Sequence, residues 1–396
     1  MKADFLKYQA QTSPHPLAVE VSHAKGSYIY DINDKAYLDF VAGVSAASIG
    51  HCHPAVVDAI KTQSEKYLHV MVYGEYAQDP AVALTRLLAE HLPQPLEQTY
   101  LVNSGTEAID GAMKLARRVT GRSEIIAANQ AYHGNTFGAL SLMNYEERVA
   151  PFRPVVGAIK HIDFNSFEAL TEITEQTAGV VLETIQGGAG FIQPEHGWLA
   201  AVKKRCEEAG ALLILDEIQP GFGRTGTFFG FQNYHVIPDI VVMGKGMGGG
   251  MPIGAFTASK KHMQLLSNNP KMGHITTFGG HPVIAAAALA TAKTILESDL
   301  MAQALEKERL FRDLLQHELI TEVRGKGLML AAITPSAEIT TEAILMAQEK
   351  GLILFWLLFE TRAIRITPPL TISKEEIKMG CELLLKGLDK IATKMA

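Results

Sequence analysis

The chain has 396 residues, 47% hydrophobic and 20% charged, with glycine and proline scattered rather than clustered. That length and composition suit two domains with substantial cores and exclude a disordered or fibrous protein. A formal net charge of −6 and the lack of any Lys/Arg run argue against a nucleic-acid partner.

Three cysteines, Cys52, Cys206 and Cys381, show no C-x-x-C spacing and suit a reducing compartment, so a cytoplasmic protein is expected. The N-terminal "MKADFLKYQAQTSPHP" lacks a long apolar stretch, and no run of about 18 apolar residues suggests a membrane span. No repeat or low-complexity tract is visible.

In chain order, "GSYIYDINDKAYLDF" (26–40) reads as N-terminal strands. There follow "TYLVNSG" (99–105), "EIIAANQAY" (124–132), "AGVVLETI" (178–185), "ALLILDEI" (211–218), "DIVVMGK" (239–245) and "GAFTAS" (254–259). Such aliphatic runs alternating with helical patterns predict an α/β fold with a mostly parallel sheet. Between them, "GTEAIDGAMKLARRVTG" has apolar residues at helical spacing, basic residues in its last turn and a closing glycine. "HGWLAAVKKRCEEAG" has the same design, and residues 283–318 read as long helical structure leading out of the sheet. "TEVRGKGLMLAAIT" and "AIRITPPLTIS" then predict strands of a smaller α+β domain, which the N-terminal strands complete. The expected division is 1–45 with the small domain, 46–285 as the large domain and 286–396 as the C-terminal small domain.

Ligands of open α/β sheets bind outside the carboxyl ends of the strands. There the sequence places Ser104-Gly105-Thr106, Tyr132-His133, Glu183, Asp216 and Lys245. Ser104 to Thr106 open a helix, where free backbone N–H groups and the dipole favour a phosphate; an ordinary N-cap is the alternative. Lys245 stands between glycines after an apolar strand, a setting for a nucleophilic or Schiff-base lysine, or simply for a turn. Asp216 is a catalytic acid or a structural cap. Taken together, a phosphate turn, an aromatic face at Tyr132, a carboxylate and a lysine match what pyridoxal phosphate requires.

"NSGTEA", "YHG", "DEIQPGFGRTG", "GKGMGGGMPIGA", "TTFGGHP" and "RITPPL" follow one another as they do in class III aminotransferases. The chain resembles that family, whose members are fold type I pyridoxal-phosphate enzymes such as acetylornithine, ornithine and 4-aminobutyrate aminotransferases. The resemblance runs from "YIYDINDKAYLDF" to "AIRITPPL". It implies a seven-stranded, mostly parallel sheet in the large domain and Lys245 as the Schiff-base lysine. It also implies Asp216 on the pyridinium nitrogen, Gln219 near the ring's phenolic oxygen, Gly105 and Thr106 on the phosphate, and Tyr132 stacked on the ring. His133 and Glu183 fall within the same cofactor site. Thr277 of "TTFGG" resembles a residue that reaches the phosphate of a neighbouring subunit, which implies a homodimer with shared active sites. The implied partners are a small-molecule amino donor and a 2-oxo acid, 2-oxoglutarate or pyruvate. A decarboxylase or aminomutase on the same scaffold is the alternative.

Two positions depart from relatives acting on ω-amino acids. "YHGNT" has Asn135 where an arginine commonly grips a carboxylate, and "ETIQGGAG" has Gly188 where a glutamate commonly gates the substrate-carboxylate arginine. Arg365 remains as the expected α-carboxylate anchor, its planar guanidinium suited to a bidentate grip. Pro14, Val44 and Ser45 stand where some relatives carry aromatics. "GFGRTG" (221–226) and "GKGMGG" (244–249) satisfy G-x-G-x-x-G without the helix that a dinucleotide site needs. "HCH" (51–53) lacks further metal ligands at suitable spacing and reads as a turn.

Overall fold

The structure is a computed structural model describing residues 1–395. Strands β1 (Val21–Lys25), β2 (Tyr28–Asp31) and β3 (Ala36–Asp39) form an N-terminal meander. The central sheet takes β4 (Gln98–Val102), β5 (Glu124–Ala128), β6 (Ile159–Ile162), β7 (Thr177–Glu183), β8 (Leu212–Asp216), β9 (Ile240–Gly244) and β10 (Gly254–Ala258) in the order β4-β10-β9-β8-β7-β5-β6. Only β10 runs against its neighbours, β4 and β9. The expected seven-stranded, mostly parallel α/β sheet is therefore present. Strands β7 to β10 are buried at every position, which is why they read as continuous apolar runs rather than alternating ones.

β6 is missing from the runs read in the sequence. It is an edge strand, "IKHI", with one exposed and one fully buried residue, too short and too polar to stand out. The helical tract after residue 283 is two helices, Pro282–Leu296 and Leu300–Leu314. Between them the Ser298 hydroxyl bonds to the Ile295 carbonyl at 3.3 Å, the local competition that ends helices at such residues.

Helix Gly105–Thr120 follows from its sequence. The Ser104 hydroxyl accepts the Glu107 amide at 3.3 Å, the Glu107 carboxylate reaches back to the Asn103 amide at 2.7 Å, and Gly121 closes the helix at φ 69°. Ala108, Ile109, Ala112, Leu115 and Ala116 face the sheet. Gly111 is required there, because a Cβ would lie 2.4 Å from the Phe256 ring.

β11 (Glu322–Lys326), β12 (Met329–Ile333), β14 (Phe355–Trp356) and β15 (Ala363–Ile366) make a further sheet in the order β11-β12-β15-β14. β13 (Leu352–Ile353) instead pairs in parallel with β3, Leu352 opposite Leu38, so N- and C-terminal segments share one sheet, separate from that of β11, β12 and β15. Beyond β3, residues Ala42, Gly43, Val44 and Ser45 all have left-handed φ, between 50° and 69°. This single left-handed turn lies against the lysine loop after β9: the Ser48 hydroxyl donates to the Gly246 carbonyl at 2.8 Å.

Candidate active site

The parallel strands deliver their polar residues to one end of the sheet. Glu183 is the last residue of β7 and lies in register with Asp216, the last of β8; Asp216 in turn lies beside Val242 of β9, which ends two residues later at Gly244. Lys245 follows in a one-turn 3-10 helix, its own φ left-handed at 42°. The loops after β4 and β5 bring Gly105–Thr106 and Tyr132–Asn135 to the same place. Apart from Ser104, Thr277, Pro14 and Ser45, every site residue singled out in the sequence lines one cleft of about 300 Å³.

His133 Nδ1 lies 2.8 Å from Asp216 Oδ2 with both groups buried. A carboxylate only accepts, so Nδ1 carries the proton. The other carboxylate oxygen accepts the Ile218 amide at 2.9 Å, leaving Asp216 no freedom to swing. Burial opposes the charged form of His133, but the hydrogen bond and charge of Asp216, with Glu183 behind it, prevail and raise its pKa. Glu183 is pushed up to about 7 by burial, although it accepts the amides of Gly187 at 2.9 Å and Tyr132 at 3.2 Å.

Lys245 opens on the cleft while protein encloses it elsewhere. This desolvation, together with the Arg365 charge, pushes its ammonium down to about 8 against the pull of Asp216 and Glu183. Arg365, on β15, is 5% exposed, and its Nε and Nη1 have no hydrogen-bond partner in the protein. Its guanidinium lies 5.7 Å from the Phe191 ring centre, and burial lowers its pKa to about 10.

The end of the cleft at Gly105 and Thr106 is built by close approach. Gly134 has φ 127°, and a Cβ on it would lie 2.3 Å from the Thr106 hydroxyl. That hydroxyl is 2.7 Å from the Thr136 hydroxyl and accepts the Thr136 amide at 3.1 Å. Ser104 is placed at this turn, but its hydroxyl is engaged by the Glu107 amide as an N-cap. On the opposite wall, Gln219 donates to the Ser45 hydroxyl at 3.2 Å beside Val44, and Asn135 donates to the Tyr132 hydroxyl at 3.0 Å. Thr277 is exposed and stands outside the cleft of its own chain.

These residues fit pyridoxal phosphate. A helix start with a glycine-shaped entrance, a lysine amine at the cleft and a clamped carboxylate are each present, and two buried nitrogens of Arg365 have no partner within the protein. Three contributions were hidden from sequence reading. Ile218 packs so closely on Gly105 that a Cβ there would lie 2.6 Å from its Cδ1. Leu358 lines the cleft with Arg365 and Phe359 packs on Gly188, yet "WLLFE" offers only an apolar run. Glu217, the second acid of "LDEI", turns into the core and accepts the amides of Gly230 and Phe231 and the Thr184 hydroxyl.

The lookalike motifs have other work. Arg224 of "GFGRTG" is buried and donates to the carbonyls of Leu328 and Pro368, tying this turn to the C-terminal segments. His51 of "HCH" lies 2.8 Å from Asp39, whose other oxygen accepts the Val41 and Ala42 amides ahead of the left-handed turn.

The sequence profile of the class-III aminotransferases matches residues 8–388. The acetylornithine aminotransferase of Caldanaerobacter subterraneus is 36% identical over 379 residues, covering 93% of this chain and 94% of that protein. The acetylornithine aminotransferase of Methanosarcina acetivorans is 39% identical over 388 residues, covering 96% and 93%. Among solved structures, the ornithine aminotransferase of Toxoplasma gondii superposes with a TM-score of 0.92 at 29% identity, covering 99% of this chain and 95% of that one. A second structure of that enzyme, described with partial pyridoxal-phosphate occupancy, gives 0.91 at 30% identity, covering 99% and 94%.

Proposed function

The chain belongs to the class-III aminotransferases and is a pyridoxal-phosphate-dependent aminotransferase, and on that premise we propose that transfer takes place in the cleft at the carboxyl ends of β7, β8 and β9, from an amino acid or amine to 2-oxoglutarate or pyruvate. The observation that carries this reading is the pairing of a clamped carboxylate, Asp216, with an enclosed amine, Lys245, at the ends of adjacent strands.

The cofactor, when bound, supplies a carbonyl that joins to amines and a ring that draws electrons away from the substrate α-carbon. Lys245 would hold it covalently and, once displaced by the donor amine, its Nζ would take the α-carbon proton and return it. A pKa near 8 leaves a useful fraction of that amine neutral at physiological pH. Asp216 would keep the ring nitrogen protonated, and His133 would hold the carboxylate in place by the 2.8 Å contact with Oδ2. Gly105 and Thr106 would take the phosphate, Tyr132 would cover the ring face, and Gln219 would meet its phenolic oxygen. Arg365 would anchor a substrate carboxylate.

A homodimer with shared sites is part of this reading. Its support is the placement of Thr277 outside its own cleft, together with the exposed apolar side chains Leu68, Met71, Tyr76, Ile275 and Phe278. Residues 46–285 would form the cofactor-holding domain, completed by 1–45 and 286–396. No helix among the described residues is long and apolar enough to cross a membrane. A cytoplasmic setting agrees with three unpaired cysteines, two of them buried.

The test is product analysis of the purified enzyme with a panel of amino donors against both 2-oxo acids. Formation of a new amino acid in step with loss of donor supports transfer. Carbon dioxide release or an internal amino shift without an acceptor would overturn it.

A further inference from the structure

Thr277 and Phe278 stand exposed at the apex of a turn whose two feet are fixed to their own subunit. Behind the apex, the Thr276 hydroxyl accepts the Gly279 amide at 2.9 Å, and a Cβ on Gly279 would collide with the Leu101 carbonyl of the edge strand β4. Ahead of it, His274 is held from three directions. Lys114 Nζ lies 2.9 Å from His274 Nδ1, and the Tyr100 hydroxyl donates to the His274 carbonyl at 2.6 Å. The imidazole lies 5.0 and 5.8 Å from the ring centres of Tyr100 and Phe256. An ammonium only donates, so Nδ1 is the acceptor and the imidazole is neutral. Burial, and after it the Lys114 charge, pushes the pKa of His274 down to about 4, which preserves this bond through the neutral range. Lys114 belongs to helix Gly105–Thr120, and Arg118, one turn further along the same face, donates to the carbonyls of Asn268 and Asn269 at 3.0 and 2.8 Å. The start of this helix thus serves one cleft, while its outer face grips the segment that bears Thr277.

We propose that His274 is a positioning residue for Thr277: clamped by Lys114 and Tyr100, it presents the 276–279 turn to the other subunit, so that its loss is felt at the other subunit's cofactor site and not at its own. The inference rests on the homodimer with shared sites of the proposed function. A loose apex must be ordered each time a phosphate is bound, and the lost freedom weakens binding; a clamped apex is in place beforehand. A purely structural role for His274 has the opposite signature. Its imidazole packs on β4 and β10 and its bond runs to the helix that opens with Gly105 and Thr106, so local loosening would damage the cleft of the same chain.

The test uses purified heterodimers of differently tagged subunits, each containing a single Lys245. The control pairs a wild-type subunit with a Lys245→Ala subunit. In the trans pair, His274→Ala is added to the Lys245→Ala subunit; in the cis pair, it is placed on the subunit that keeps Lys245. Pyridoxal phosphate is titrated against each, and borohydride-trapped cofactor is counted at every concentration, so only the site with the lysine is read. The trans pair should need about tenfold more pyridoxal phosphate for half-labelling, the scale of one lost hydrogen bond to a charged group. The cis pair should match the control. His274→Asn in trans, which restores an acceptor close to Nδ1, should recover part of the loss. Lys114→Ala, a change on an exposed helix face, should give the same trans pattern and takes the place of His274→Ala if that subunit does not fold. A lesion that weakens the cis pair as much as the trans pair, or leaves both at the control value while Thr277→Ala in trans weakens binding, overturns this inference and leaves the shared site standing. Thr277→Ala without effect in trans overturns the shared site and the inference together.

Discussion

His133 Nδ1 and Asp216 Oδ2 lie 2.8 Å apart, one on the loop after β5 and the other at the end of β8. The pair fixes the direction of a carboxylate whose second oxygen is already held by the Ile218 amide. In the proposed reaction its value would be geometric: the charge is in position before the substrate arrives and needs no reorganisation.

Asp216→Asn therefore keeps the fold but lowers kcat by about 100- to 1000-fold, the loss typical of one preorganised electrostatic partner. His133→Ala leaves the aspartate a poorer clamp and costs about 1–3 kcal/mol of barrier. It also shifts the absorption of the bound cofactor. His133→Asn, which restores a donor near Nδ1, recovers part of both. Equal kcat in wild type and His133→Ala would show that the pairing has no part in the reaction.

Lys245 is the residue that borohydride reduction of the holoenzyme should label, and Lys245→Ala should carry no label. Its lowered pKa adds a pH signature. A lysine near 8 has its amine free at lower pH than one at the ordinary 10.5, so capture of pyridoxal phosphate by the apoenzyme accelerates as pH rises and levels off just above about 8. A capture rate still climbing at pH 10 would show that the enclosure does not perturb this amine.

Thr277 provides the test of assembly. Thr277→Ala should weaken cofactor retention. When Thr277→Ala and Lys245→Ala subunits are mixed, heterodimers should regain one site intact in both residues. Verified heterodimers without activity would place Thr277 in its own subunit's site.

Glu217 links stability to pH. Burial raises its pKa to about 7, the amides of Gly230 and Phe231 and the Thr184 hydroxyl offsetting only part of the effect. Between the unfolded value near 4.5 and 7, the folded state holds a proton that the unfolded chain has released, so stability falls as pH rises through this window. The fall is up to ~3 kcal/mol for one such group. Glu217→Gln removes the titration, so the advantage of the wild type over this variant in thermal midpoint should be larger at pH 5 than at pH 8. A constant gap would mean that Glu217 stays ionised in the fold.

The sheet was legible because β7 to β10 are buried throughout and their sequences are continuous aliphatic runs, and the site because its residues sit just beyond those runs. Edge position hid β6, whose burial pattern is mixed. The His133–Asp216 contact joins residues 83 positions apart, a separation that no local pattern encodes. Phe359 was hidden for another reason. Gly188 marks a missing side chain, but what fills the vacated space comes from a loop 171 residues later, held by backbone bonds to the Gly188 carbonyl that carry no side-chain signature.

The left-handed turn at Ala42–Ser45 bears on how this enzyme would respond to selection for heat tolerance. Left-handed geometry costs roughly 1–2 kcal/mol per non-glycine residue, and three of these four residues are not glycine. Val44, β-branched at φ 60°, is the least comfortable. Glycine would relieve it at once, and Val44→Gly should raise the melting temperature of the apoenzyme. The same residue is a wall of the cleft, next to the Ser45 hydroxyl that receives Gln219 and close to the loop carrying Lys245. A selection that rewards only survival on heating would thus be drawn to position 44 and return hardier, slower enzymes, whereas one that rewards turnover would keep the strained valine.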